Sequence, residues 1–242
     1  MPFDHAIAET LDARLDALRE NVSSEDFAAI KAIVRAADHA TLSALAKEHA
    51  AKVEARRDVN HKYIDPVYWA YHKYDIAKRL GLLSSPPLRI LDIGAGACHF
   101  AAVCRHYGHD VVSTDIEVPI YDEIAAAWGE TRTIHRVEPQ TPLPNRGKFD
   151  MITAIAINFH GKRVPEGQKP YWTMDDWKFF LRDLTSNQLR YPGRIWFRLN
   201  VEIWDGQKVF NSEVMDLLEA HGAVVDRRKG TIDWKLITKP EL

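Results

Sequence analysis

The sharpest change of hydrophobic pattern in the chain falls at residues 89–115. Ile90, Leu91 and Ile93 make a short apolar run between Arg89 and Gly94, the pattern of a central parallel strand covered on both faces. Phe100, Val103, Cys104 and Tyr107 follow at i, i+3, i+4 and i+7, the apolar stripe of a helix laid on a sheet. Gly108 closes that helix, and residues 110–115 read as a second strand that ends in a carboxylate, Asp115. Between strand and helix, Gly94 and Gly96 allow positive φ and leave bare backbone for a ligand to approach.

Upstream, residues 3–57 carry a helical period throughout. Ile7, Leu11, Leu15 and Leu18 share one face; Ser23 or Ser24 caps a second helix holding Phe27, Ile30, Val34 and Ala37; Thr41 caps a third with Leu42, Leu45, Ala46 and Val53 inside. A plain helical cap is the preferred reading of this segment, ahead of a lid or an arm for homodimerisation. Residues 60–83 differ: Tyr63, Tyr68, Trp69, Tyr71 and Tyr74 crowd together with His61 and His72, and Pro66 opens a helix. Ser84-Ser85-Pro86-Pro87 is a linker, so the chain divides into residues 1–83 and 84–242.

Downstream, helices and strands alternate. Residues 120–128 read as a helix, 131–137 as a strand, 149–157 as a buried strand, 172–189 as a helix, 195–200 as a strand entered through the turn 191–194, 214–220 as a helix, and 224–225 and 232–238 as the last two strands. Residues 161–171 are polar and punctuated by glycine and proline, as in an active-site loop. The expected fold class is α/β with a parallel core.

Composition narrows the function little. The 242 residues are 46% hydrophobic and 27% charged with a net charge of −2, ordinary for a globular chain and without the basic excess of a nucleic-acid binder. The start of the chain lacks the basic and apolar regions of a signal peptide, and no run of 18 apolar residues occurs, so a cytoplasmic protein without a membrane span is expected. The two cysteines, Cys98 and Cys104, suggest neither a disulfide nor a metal site, and no metal triad is visible.

The chemistry lies in the glycine turn. A strand, a glycine turn onto a helix N-terminus, and an acid 19 residues after Gly96 make a nucleoside site in which Asp115 binds ribose hydroxyls. A dinucleotide fingerprint needs a third glycine at position 99, where His99 stands. The spacing D-x-G-x-G-x-G fits instead, on Asp92, Gly94 and Gly96 with the small Cys98 in the last place. Asp92 would repel a pyrophosphate and suits a ligand that carries an ammonium and no phosphate. On these residues the chain, from about Leu88 to Thr238, resembles the class I S-adenosylmethionine-dependent methyltransferases. An NAD(P)-linked oxidoreductase is the weaker reading, opposed by Asp92 and His99.

The resemblance implies a Rossmann-like seven-stranded sheet with helices on both faces, its last strand antiparallel, behind the N-terminal helical cap. It implies S-adenosylmethionine as cofactor, held by Asp92, Gly94, Ala95, Gly96, Asp115, Ile116 and Ala154, with Glu138 as the acid nearest the adenine edge. The fourth strand leads into Asn158-Phe159-His160-Gly161, with neither the Pro-Pro-aromatic signature of amino-methylating nucleic-acid enzymes nor the Pro-Cys of cytosine-C5 enzymes. A small-molecule acceptor methylated on oxygen, a natural product or sugar, is therefore expected, with a macromolecular acceptor as the alternative. Tyr68, Trp69, Tyr71, Asn158 and Trp172 are the candidate substrate contacts. A hydroxyl acceptor needs a base; His160 leads, followed by His61 and His72, then Asp65, while His99 reads as structural. Arg227-Arg228-Lys229 reads as a solvated turn.

Overall fold

A computed structural model describes residues 10–54, 60–157, 159, 172–200, 202–204, 207–209 and 212–241. These fall into two compact units, Met1–Pro87 with Ala95–Ser113 and Glu117–Thr133, and Leu88–Gly94 with Thr114–Ile116 and Ile134–Leu242. Two helices from the second part of the chain pack with the N-terminal ones, because their apolar faces and those of the N-terminal helices share one core.

The first unit is helical. It contains α1 (Leu11–Arg19), α2 (Ser24–Arg35), α3 (His39–Glu54), a 3-10 turn (Asn60–Ile64), α4 (Pro66–Arg79), α5 (His99–His106) and α6 (Pro119–Ala127). Leu15, Leu18, Ile30, Val34, Leu42, Leu45, Val67, Phe100, Val103 and Ile124 are buried in it. Ser23 caps α2, its hydroxyl accepting from Asp26 N–H at 3.1 Å. The cap of α3 is Asp38 rather than Thr41: its carboxylate accepts from the N–H groups of Ala40 and Thr41, and the Thr41 hydroxyl donates to it at 2.7 Å. A carboxylate caps better than a threonine and favours the positive end of the helix. The Asp38 N–H donates to the Ala127 carbonyl at 2.7 Å, which ties the α2–α3 corner to the end of α6.

The remaining strands are β1 (Arg89–Ile93), β2 (Asp110–Asp115), β3 (Arg132–Ile134), β4 (Phe149–Ile157), β5 (Leu189–Leu199), a hairpin of β6 (Glu202–Trp204) and β7 (Gln207–Val209), β8 (Val224–Asp226) and β9 (Thr231–Leu236). Seven of them form one sheet in the order β3-β2-β1-β4-β5-β9-β8. β4 runs parallel to β1 and β5, and β9 is antiparallel to β5, as expected. The sheet is the seven-stranded Rossmann-like sheet of the expected α/β class, flanked by helices.

Several boundaries differ from the sequence reading; the strand expected over 131–137 covers only Arg132–Ile134. The helix expected over 172–189 is α7 (Met174–Asp183), followed by a π-turn (Leu184–Gln188), and β5 begins at once with Leu189. The segment read as the turn 191–194 lies inside β5 as a bulge: Phe149 pairs with Leu189 and Met151 with Arg194, so four residues of β5 stand opposite Asp150 alone. Pro192 has no N–H to give the ladder, and Asp150 takes up the excursion by accepting from Arg190 and from the Arg89 N–H. The other helix of this unit is α8 (Ser212–Ala220).

Candidate functional site

The carboxyl ends of the central strands carry the sequence motif. Asp92 is buried in β1, directly opposite Thr153 of β4, whose hydroxyl donates to Asp92 Oδ1 at 2.7 Å. A carboxylate inside a sheet needs such donors. Two residues later the Gly94 N–H donates to the Thr114 carbonyl at 2.8 Å and joins the end of β1 to the end of β2. Gly94 has φ of 71°, and a Cβ there would meet Ile157 Cδ1 at 2.9 Å. Both facts demand a bare backbone at this point.

Asp115, half-buried, ends β2; its Oδ1 accepts from the Ile116 N–H at 2.7 Å and its carbonyl from the His135 N–H at 2.8 Å. Ile116 is 37% exposed, and Ile134 at the end of β3 is 49% exposed. Two branched aliphatic side chains in water at neighbouring strand ends are a surface that an apolar ring would cover favourably. Ile116 was a candidate from the sequence; Ile134 was not, and its one signal there is an isoleucine alone in the polar stretch 131–136. Ala154 is buried within β4. Glu138 is exposed and faces Arg136 at 3.7 Å.

The rest of the turn belongs to the first unit. Gly96 has φ of 58° with nothing within 4 Å of a would-be Cβ, and the buried Ala95 accepts from Cys98 N–H through its carbonyl. Cys98 occupies the N-cap of α5 in a left-handed conformation, φ 61°, and contributes no side-chain cap bond. The first N–H groups of α5 are thereby left without a cap from that side chain, at the positive end of the helix.

The same unit holds an aromatic cluster. Tyr63 packs on Trp69 at 4.5 Å and meets Tyr121 edge-on at 5.2 Å. Tyr68 stacks on His72 at 5.9 Å, and Trp69 meets both edge-on. Tyr63, Tyr68, Trp69, Tyr71 and His72 are all half-buried, so their faces are divided between core and solvent. Hydrogen bonds fix two of the rings: Trp69 Nε1–H donates to the Lys62 carbonyl and the Tyr121 hydroxyl to Asn60 Oδ1.

Several candidates change standing. Asp65 is not a base: it is buried, caps α4 by accepting from Val67 and Tyr68 N–H, and is paired with the buried Arg14 at 2.7 Å. Trp172, a candidate substrate contact, lies buried in an aromatic core with Phe159, Trp177 and Phe180. His160 and Asn158 lie outside the described residues, and of His61 only the backbone is described. His99 is buried, as a structural residue should be, and burial pushes its pKa down to about 3. The basic run is a turn in which Arg227 pairs with Glu219 and Asp216, and Lys229 with Asp226.

No family model matches the chain, and no curated protein sequence does. Solved structures similar to it include a 1,6-didemethyltoxoflavin-N1-methyltransferase of Burkholderia thailandensis, 22% identical over 83% of this chain and 91% of that one, with a TM-score of 0.43. An S-adenosylmethionine-dependent methyltransferase of Corynebacterium glutamicum is 18% identical over 69% of this chain and 98% of that one, TM-score 0.41. An amino pentose methyltransferase from Micromonospora echinaspora, involved in calicheamicin biosynthesis, is 18% identical over 59% of this chain, TM-score 0.39; the chain spans 54% of that protein's length. At such identities and scores the fold rests on the strand order itself. That order, with its antiparallel β9 between β5 and β8, is the seven-stranded Rossmann-like sheet expected from the sequence.

Proposed function

We propose that the chain is an S-adenosylmethionine-dependent methyltransferase acting on a small molecule, by O-methylation of a natural product or sugar. The observation that carries this reading is the pair of acidic strand ends, Asp92 and Asp115, on strands joined by the Gly94–Thr114 hydrogen bond. The donor set fits the cofactor. Asp115 receives ribose hydroxyls, and Ile116 and Ile134 offer exposed apolar faces to an adenine. Gly94, Ala95 and Gly96 give backbone without side-chain bulk, and Asp92 supplies negative charge for an ammonium while repelling a pyrophosphate. Ala154 as a cofactor contact and Glu138 as the acid nearest the adenine edge remain candidates on their sequence positions.

When bound, the sulfonium supplies an electrophilic methyl group. The protein's task is to hold an acceptor in line with it, keep water out and, for a hydroxyl, remove a proton. The half-buried rings Tyr68, Trp69 and Tyr71 are suited to an apolar acceptor face, and His72, stacked on Tyr68, is the base candidate whose side chain is described. His160 and His61 remain candidates on their sequence positions, with Asn158 as a polar handle. The neutralised basic turn weighs against a nucleic-acid acceptor, and among the described residues no helix is long and apolar enough to cross a membrane.

Calorimetry with S-adenosylhomocysteine tests the assignment. Saturable binding is expected, and tighter binding of NADH than of either adenosyl ligand would overturn it.

A further inference from the structure

His99, the first residue of α5, has a property that methyl transfer as described above does not use. It is 2% exposed. Its ring lies 6.3 Å from the Tyr63 ring and 5.8 Å from that of Trp69, within 30° of parallel to both. It meets the Trp128 ring edge-on at 5.5 Å. Burial among these rings is the main cause of its low pKa; the charge of Lys73 adds to it, and a hydrogen bond with the Tyr63 main chain opposes it. The ring is therefore neutral at any working pH and carries a single N–H.

Which nitrogen holds that proton follows from the partners. A hydrogen bond that favours the protonated ring is one the ring donates, so the N–H is directed at the Tyr63 main chain. Nε2 has no protein partner, so the donor is Nδ1 and Nε2 presents a lone pair. On the neighbouring Trp128 ring, the Nε1–H is also buried and also lacks a protein acceptor. One group only accepts and the other only donates. Buried polar groups are seldom left unmatched, and an internal water satisfies such a donor and acceptor together.

We propose that Trp128 Nε1–H is hydrogen-bonded to His99 Nε2 through one internal water, and that His99 is thereby a positioning residue. It fixes Tyr63 and Trp69 against the start of α5. The chain of donors then runs in one direction, from the end of α6 through the imidazole to the 3-10 turn. The imidazole links the turn that carries Gly96 to the aromatic rings of residues 63–72. The functional meaning rests on the methyltransferase reading, in which that turn holds the cofactor and those rings face the acceptor.

The test is long-range 15N–1H spectroscopy on full-length protein labelled at histidine, at pH 7. The expected His99 signal is an Nδ1–H tautomer that does not titrate between pH 5 and 9, with Nε2 displaced from the position of an unbonded lone pair. Trp128→Phe, which keeps the ring packing and removes only the N–H, should abolish that displacement. It should also speed main-chain hydrogen exchange in residues 60–69 by roughly tenfold, the effect of one hydrogen bond. A proton on Nε2, or an Nε2 signal indifferent to Trp128→Phe, overturns the proposal. Should the variant fail to fold, the wild-type tautomer and Nε2 displacement still decide. An S-adenosylhomocysteine titration of the same sample separates the two readings. Failure to bind removes the methyltransferase assignment and leaves the His99 bond standing, whereas binding with the wrong tautomer removes the His99 bond alone.

Discussion

Alanine at Gly94 and alanine at Gly96 should have different consequences, and the difference measures how closely the turn is built. Both glycines sit at positive φ, 71° and 58°. An L residue there costs about 1–2 kcal/mol in backbone strain. At Gly96 that is all, because nothing lies within 4 Å of a new Cβ. At Gly94 the methyl would also meet Ile157, with Cδ1 at 2.9 Å, Cγ1 at 3.1 Å and Cβ at 3.2 Å. The side-chain end can swing away, but Cβ cannot without moving β4, so an overpacking cost of roughly 1–3 kcal/mol is added. Urea unfolding should show Gly96→Ala destabilised by about 1–2 kcal/mol and Gly94→Ala by about 2–5 kcal/mol. A cycle with Ile157→Gly, which removes that Cβ, should return most of the excess in the Gly94→Ala background, as a coupling between touching groups. Calorimetry with S-adenosylhomocysteine should find affinity lost at both positions. Equal destabilisation at the two glycines, or no coupling to Ile157, would refute the argument that the end of β4 closes over Gly94.

Asp115→Ala should weaken S-adenosylhomocysteine binding ten- to a hundredfold, the worth of charged hydrogen bonds of about 1.5–3 kcal/mol, with the urea midpoint little changed; unaltered affinity would remove Asp115 from the ribose site. Glu130, whose carboxyl is buried and whose Oε2 accepts from Arg105 at 2.7 Å, has its pKa raised from 4.5 to about 7 by burial, with Arg105 opposing. The folded state therefore holds this proton more tightly than the unfolded chain, and stability falls as pH rises from 4.5 to 7 by up to about 3 kcal/mol at ~1.4 kcal/mol per pH unit. Glu130→Gln should flatten that slope and gain stability at pH 8 relative to wild type, whereas parallel urea midpoints for the two proteins from pH 5 to pH 8 would show the carboxyl to be solvated. Arg14→Met should cost about 3–5 kcal/mol in urea unfolding because it strands the buried Asp65 charge, and the double variant with Asp65→Asn should recover part of it; a loss below 1 kcal/mol would mean that Asp65 is solvated.

Much of the fold was legible because local pattern and burial agree. The apolar run at Ile90–Ile93, the stripe from Phe100 to Tyr107 and the long β4 run all mark elements whose covered faces leave a periodic trace. The motif around Asp92, Gly94 and Asp115 was legible for another reason: backbone conformation restricts residue type, and only glycine serves at Gly94. What escaped depends on partners distant in sequence. Asp65 looked like a free acid in an aromatic segment until Arg14, 51 residues away, was found against it. Trp172 was read as a substrate contact at the end of a loop, with no sign in the sequence that Phe159, Trp177 and Phe180 pack on it. Thr41 was read as the cap that Asp38 provides because the helix start could be shifted by one turn without disturbing the apolar period. The bulge at Arg190–Gly193 was read as a turn because a proline-glycine pair has the same local signature in either setting.

The first unit is assembled from three separated stretches of chain, the last ending at Thr133. During synthesis on the ribosome, the N-terminal helices emerge long before α5 and α6 exist to cover them. The Asp38–Ala127 backbone bond joins residues 89 positions apart and cannot form until more than half the protein has left the exit tunnel. Leu18, Ile30 and Val34 therefore spend that interval with their apolar faces available to whatever meets a nascent chain. A fragment stopping before Pro119 should be a client for chaperones rather than a stable cap, and this segment cannot be trimmed or transplanted as an independent module.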